Sequence, residues 1–230
     1  MMKLCIALDL PSAEENLALL ESLKDEEQIW VKVGLRSFIR DGVGLLERIK
    51  AMNPQFKIFL DLKLYDIPNT MGDSVEAIAD LKVDMLTIHA SSGKEAMGAV
   101  MQRLKNIPNP PLVMAVTALT SFDKEGFFEI YHTGLETQVI EFAKMAKECG
   151  VNGVVCSCAE SLAIKTQVGE EFLTLTPAIR PFGENSGDQK RVATLEDAKA
   201  AKSDFIVVGR PIYQAKYPKS VVEQILTNLN

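Results

Sequence analysis

The 230-residue chain has only four cysteines, Cys5, Cys149, Cys156 and Cys158, with no C-x-x-C spacing and no His-rich neighbourhood beside them. Zinc-ribbon and thioredoxin-type readings are set aside on that ground, and Cys156-x-Cys158 is not read as a metal or redox pair. The four read as reduced, mostly buried thiols of a cytosolic, cytoplasmic protein. An excess of basic residues is missing too: net charge is −6. A general nucleic-acid binder would show a basic stripe, so any phosphate site here must be local. Nothing approaches the roughly 20 apolar residues of a membrane span. The apolar run 4–10 is interrupted by Asp9 and lacks a basic leader and a small-residue cleavage pattern, so it reads as a strand and not a signal peptide. No His/Cys/carboxylate cluster suggests a metal, and none is expected. No G-x-G-x-x-G follows the first strand pattern, which removes the main signal for an open dinucleotide-binding sheet.

What is present is regular alternation. Short β-branched runs at 4–9, 30–35, 57–63, 85–90, 112–117, 153–157, 173–179 and 205–209 alternate with amphipathic stretches. Those stretches cover 12–24, 42–52, 68–81, 94–104, 136–149, 159–168, 195–202 and 220–229. Eight βα units without a composition break predict one (β/α)₈ TIM barrel spanning residues 1–230, a length at which such barrels commonly form a single domain.

In such barrels the reacting groups sit at the C-terminal ends of the strands. The third strand pattern, KIFLDLK, puts Phe59, Asp61 and Lys63 on one face, with Asp61 and Lys63 roughly 7 Å apart if the alternation is regular. Charges ending an apolar strand are costly unless paired, and are functional candidates for that reason. Asp66 follows, then Pro68, suited to the first turn of a helix. Asp9 ends strand 1, Lys32 shares a face with Trp30 and Gly34, and Thr117, with Thr120 beyond it, ends strand 5. His89 reads as a structural or supporting group and Thr87 as packing. Gly209-Arg210 after strand 8 offers approachable backbone N–H groups and a guanidinium fork to a phosphate, with Arg180 ending strand 7. The long loop 181–193, holding Gly183, Gly187, Asp188 and Gln189, reads as a lid or binding loop.

The segment Asp61-Leu-Lys63-Leu-Tyr-Asp66-Ile-Pro-Asn-Thr70 closely resembles the D-x-K-x-x-D-I-P-N-T signature of the orotidine 5′-phosphate decarboxylase family. The resemblance extends to Asp9, Lys32, Thr117-Ala-Leu-Thr120, Thr176-Pro-Ala-Ile-Arg180-Pro, Gly187-Asp-Gln189-Lys-Arg and Val208-Gly209-Arg210-Pro, in the family's order. It implies cofactor-independent conversion of orotidine 5′-monophosphate (OMP) to UMP in pyrimidine biosynthesis. Lys63 would then donate a proton to C6, in a charged network with Asp61, Asp66 and Lys32. Asp9 and Lys32 would bind the ribose hydroxyls and Thr120 the pyrimidine edge. Arg180, Gln189, Gly209 and Arg210 would hold the phosphate, with Ile67 and Pro177 completing the substrate contacts. Asp66 and Thr70 would reach into a neighbouring subunit's site, which makes the protein a homodimer with shared active sites. Two positions depart from the family pattern: Ala178 stands where many members have Gly, and Tyr65 where His or Phe is frequent. Two other readings remain open at this stage. One is a Mg²⁺-dependent phosphosugar enzyme of the same barrel group, which shares D-x-K-x-x-D without Ile-Pro-Asn-Thr; the other is a silent barrel that only binds a nucleotide.

Overall fold

A computed structural model describes residues 2–26, 29–185 and 190–229. Eight strands alternate with helices: β1 (Lys3–Ala7), α1 (Ala13–Glu21), β2 (Trp30–Gly34), α2 (Leu35–Met52), β3 (Lys57–Leu64), α3 (Pro68–Asp80), β4 (Met85–His89) and α4 (Gly93–Leu104) come first. They continue with β5 (Leu112–Val116), α5 (Lys124–Tyr131), α6 (Leu135–Glu148), β6 (Gly153–Val155), α7 (Cys158–Val168), β7 (Leu173–Thr176), α8 (Leu195–Ala200), β8 (Phe205–Val208), α9 (Arg210–Tyr213) and α10 (Pro218–Leu229). All eight strands are parallel neighbours in sequence order, and β8 closes on β1 with Cys5 opposite Val207. The architecture is the expected (β/α)₈ barrel.

Every expected strand forms, but most stop short of their expected ends. β1 ends at Ala7, β7 at Thr176 and β8 at Val208. Asp9 and Arg180 therefore sit beyond the ladders on connecting backbone, and Arg210 opens the short helix α9. α2 starts at Leu35, directly after β2, and not at residue 42 as expected. Gly42 interrupts it with φ 61° and ψ −153°, so periodicity fades there although both flanking pieces are helical. α5 was not anticipated; Asp123 caps it by accepting from the Gly126 N–H at 2.9 Å.

Two cores follow from the two faces of each strand. The larger lies between strands and helices, where Leu4, Ile6, Val31, Ile58 and Leu60 meet helix residues such as Leu20, Ile49 and Val75. The smaller fills the barrel and comprises Cys5, Ala7, Trp30, Phe59, Met85, Met114, Val116, Val155, Leu175, Phe205 and Val207. Trp30 and Phe205 meet edge to face at 5.1 Å and plug the lower end. One layer higher the register places Ala7 beside Lys32, and Lys32 beside Phe59. The small side chain of Ala7 leaves room, and the interior changes there from apolar packing to a polar-rimmed cavity.

Candidate active site

The cavity opens at the C-terminal ends of the strands, with a volume of about 300 Å³. Its floor is Ala7, Phe59, Val116, Val155, Leu175 and Val207. Asp9, Lys32, Asp61, Lys63, Thr120, Pro177, Arg180, Gly209 and Arg210 all line it. Since β3 and β7 lie four strands apart in an eight-strand ring, Asp61 and Lys63 occupy the wall opposite Pro177 and Arg180.

Lys32 and Lys63 flank Asp61. Lys63 Nζ donates to Asp61 Oδ1 at 2.8 Å, and Lys32 Nζ stands 3.7 Å from Asp61 Oδ2 and 3.4 Å from Asp9 Oδ1. Burial opposes ionisation of Asp61, but Lys32, Lys63 and hydrogen bonds from Lys63 and Thr87 outweigh it and hold the carboxyl below its ordinary range. For Lys32 burial likewise disfavours the charge, and Asp61 and Asp9 more than compensate, raising its pKa. Carboxylates and amines alternate along Asp9, Lys32, Asp61 and Lys63. Gly34 makes this arrangement feasible, because a Cβ there would stand 2.8 Å from Lys32 Nζ.

Lys63 reaches the cavity, though not by the regular alternation read from the sequence. It takes left-handed backbone, φ 52°, where β3 slips its register against β4. Thr87, expected to be packing, is hydrogen-bonded to both ends of that irregularity: its hydroxyl accepts from the Lys63 N–H and donates to Asp61 Oδ1, each at 2.9 Å. His89 lies outside the cavity, with Nδ1 2.9 Å from Ser91 Oγ and its ring 5.7 Å from Tyr65. Burial, and secondarily Lys63, lower its pKa. Thr117 bonds the Val155 carbonyl at 3.0 Å and is also absent from the lining.

Asp66, Ile67 and Thr70 are not brought into this chain's own cavity. All three are exposed; Asp66 Oδ1 accepts from the Ile67 N–H at 2.7 Å, and α3 begins at Pro68 as expected. Tyr65 and Ile67 beside them are 65% and 67% exposed, an apolar surface on the same turn.

On the opposite wall, Ala178 has φ 64°, a left-handed conformation costing a residue with Cβ about 1–2 kcal/mol. That geometry is the physical reason glycine suits this position. Arg180 is nearly buried, and its Nε donates to the Asn185 carbonyl at 2.8 Å. Gly209 brings its backbone close to the cavity, since a Cβ would come within 3.3 Å of both Ala7 and Tyr213. Gln189, Gly187 and Asp188 lie outside the described residues.

Residues outside the expected site set also build it. Leu119, Ser121 and Tyr213 line the cavity. Arg191 pairs with buried Glu160 and donates to the carbonyls of Leu119 at 2.9 Å and Ala118 at 3.3 Å, fixing the turn before Thr120. Ser37 donates to the Leu8 carbonyl at 2.6 Å and Arg36 to that of Asp9 at 3.0 Å, fixing the loop that carries Asp9. Their partners are backbone carbonyls far away in sequence, which no spacing rule reveals. Among the described residues no group of three or more His, Cys, Asp or Glu is placed to hold a metal, and no helix is long and apolar enough to cross a membrane.

Comparison with known proteins gives a consistent result. The model of the Orotidine 5′-phosphate decarboxylase / HUMPS family matches residues 2–225. A Nitratiruptor protein named orotidine 5′-phosphate decarboxylase is 63% identical over 228 residues, covering 99% of this chain and all of its own. A Helicobacter pylori protein of the same name is 55% identical, covering 98% and 99%. The crystal structure of orotidine 5′-phosphate decarboxylase from Lactobacillus acidophilus superposes with TM-score 0.87 at 34% identity over the whole of both chains. With residues 2–225 matched and relatives above half identity along nearly the full length, this chain is an enzyme of the orotidine 5′-phosphate decarboxylase / HUMPS family.

Proposed function

We propose that the enzyme converts OMP to UMP and CO₂ without a cofactor, as a cytoplasmic step of pyrimidine biosynthesis, with Lys63 as the proton donor to C6. The observation that carries this reading is the Lys63 ammonium at the cavity wall, 2.8 Å from Asp61. Loss of CO₂ from C6 leaves a carbanion in the plane of the pyrimidine ring, where no conjugated acceptor can spread the charge. An ammonium fixed beside that carbon stabilises the charge electrostatically in a pocket poor in water, then delivers its proton. Asp61 holds the ammonium in place. Lys32 balances Asp61 from behind, and Asp9 with Lys32 offers partners to the ribose hydroxyls. Thr120 faces the pyrimidine edge. Pro177, Arg180, Gly209 and Arg210, on the wall away from Lys63, accommodate the phosphate; binding energy gained there is available to the transition state.

The reading includes a two-fold dimer in which Asp66, Ile67 and Thr70 complete the partner's site. It is supported by their exclusion from this chain's own cavity and by the exposed Tyr65 and Ile67 beside them. An isologous contact across that turn would cover the apolar surface and give each cavity a further carboxylate. The test is direct: follow the ultraviolet change as OMP becomes UMP, with and without EDTA. EDTA-insensitive turnover is expected. Loss of activity in EDTA that returns with Mg²⁺ moves the chain to the phosphosugar branch of its family; binding without turnover leaves only a nucleotide-binding barrel.

A further inference from the structure

β3 and β4 fall out of register at the strand end that carries the two charged residues. Leu60 pairs with Leu86 and Leu64 with Ile88, so Asp61, Leu62 and Lys63 together oppose the single residue Thr87. Lys63 at φ 52° occupies backbone space that a residue with a Cβ keeps only when its surroundings hold it there. The side chain that does so is Thr87. Its hydroxyl accepts from the Lys63 backbone N–H at 2.9 Å and donates to Asp61 Oδ1 at 2.9 Å. That same Oδ1 receives Lys63 Nζ at 2.8 Å. Thr87 is fully buried and is not part of the cavity lining. One hydroxyl thus links the main chain of the lysine to the carboxylate that anchors the lysine's tip.

We propose that Thr87 is a positioning residue, its hydroxyl setting the direction in which the Lys63 ammonium and the Asp61 carboxylate face the reacting carbon. The inference rests on the assignment of Lys63 as proton donor and deepens it. A β-branched residue in the middle of a buried strand would pass as packing, and packing alone would be served equally well by valine. What valine cannot do is satisfy the Lys63 N–H or donate to Asp61. Both groups are part-buried or buried, and would lose a partner outright.

Substitution by the isostere separates the two roles. Thr87→Val should lower kcat for OMP about 100-fold, the effect of roughly 1 Å of misplacement at a reacting group. KM and the affinity for UMP should stay within about threefold, because the phosphate wall is untouched. Thr87→Ser, which keeps the hydroxyl and loses only the methyl, should return kcat to within about fivefold of wild type. Thermal unfolding of each variant reports the fold; if Thr87→Val does not fold, Thr87→Ala is read by the same criteria. A folded hydroxyl-free variant with wild-type kcat overturns the proposal, as does a serine variant as impaired as valine, or a loss falling equally on UMP affinity. Lys63→Ala is assayed alongside. Retained activity there defeats the role of Lys63 itself, whereas inactive Lys63→Ala with fully active Thr87→Val defeats only the positioning role.

Discussion

Lys63→Ala is the substitution with the largest consequence for activity and a modest one for the fold. A unit charge about 4 Å from a developing carbanion, at an effective dielectric of about 20, contributes about 4 kcal/mol, or about 10³ in rate. Where proton delivery limits turnover, loss of the donor removes a further ~10²–10⁴. kcat should therefore fall by at least ~10³ and by as much as ~10⁷. The fold should survive. The Lys63 side chain is 30% exposed, and Asp61 keeps Lys32 at 3.7 Å and the Thr87 hydroxyl at 2.9 Å. Alanine retains the backbone N–H that Thr87 accepts. UMP affinity should hold within a few-fold, since Arg180, Gly209 and Arg210 are on the far wall. The assays are ultraviolet turnover at high enzyme concentration, titration calorimetry with UMP, and thermal unfolding. A folded variant that binds UMP and turns over within 100-fold of wild type would refute the electrostatic argument.

Arg210→Ala should lower kcat/KM for OMP strongly by removing a charge-assisted phosphate contact, and should be nearly silent toward the phosphate-free nucleoside; equal harm to both would make Arg210 structural. Mixing Lys63→Ala with Asp66→Ala, each nearly inactive, under conditions that exchange subunits should restore activity toward about a quarter of wild type, the share of intact sites under random pairing. No recovery after verified exchange would confine Asp66 to its own chain. The folded Asp61 carboxyl lies below its ordinary pKa of 3.8, so its stabilisation is present above that value and lost as pH falls through the folded one. The stability difference between wild type and Asp61→Asn, from urea unfolding, should shrink between about pH 5 and 2; a pH-independent difference would contradict a charged network. Gly34→Ala should leave the unfolding midpoint within a few degrees yet lower kcat/KM about tenfold. The new Cβ displaces only the tip of Lys32, 2.8 Å away. Unchanged kinetics would show that the ammonium has room to spare.

The eight βα units and the polar strand ends were readable along the chain, because a strand's two-residue alternation and a helix's longer period are local properties of residue order. Phe59 and Asp61 share a face for that reason, and Asp9, Lys32, Arg180 and Arg210 could be placed at one end of the barrel before any coordinates. The tertiary structure decided what depends on contacts between distant segments. Lys63 leaves the regular pleat where β3 slips against β4, and its N–H meets the hydroxyl of Thr87, 24 residues on. α2 runs seven residues earlier than its periodicity suggested, because helical hydrogen bonds form on either side of Gly42. Arg191 and Ser37 build the site through carbonyls 72 and 29 residues away. Asp66 points out of its own cavity because β3 has ended and Pro68 has already begun a helix. Sequence order determined which groups reach the mouth of the barrel; closure of the ring determined which of them meet.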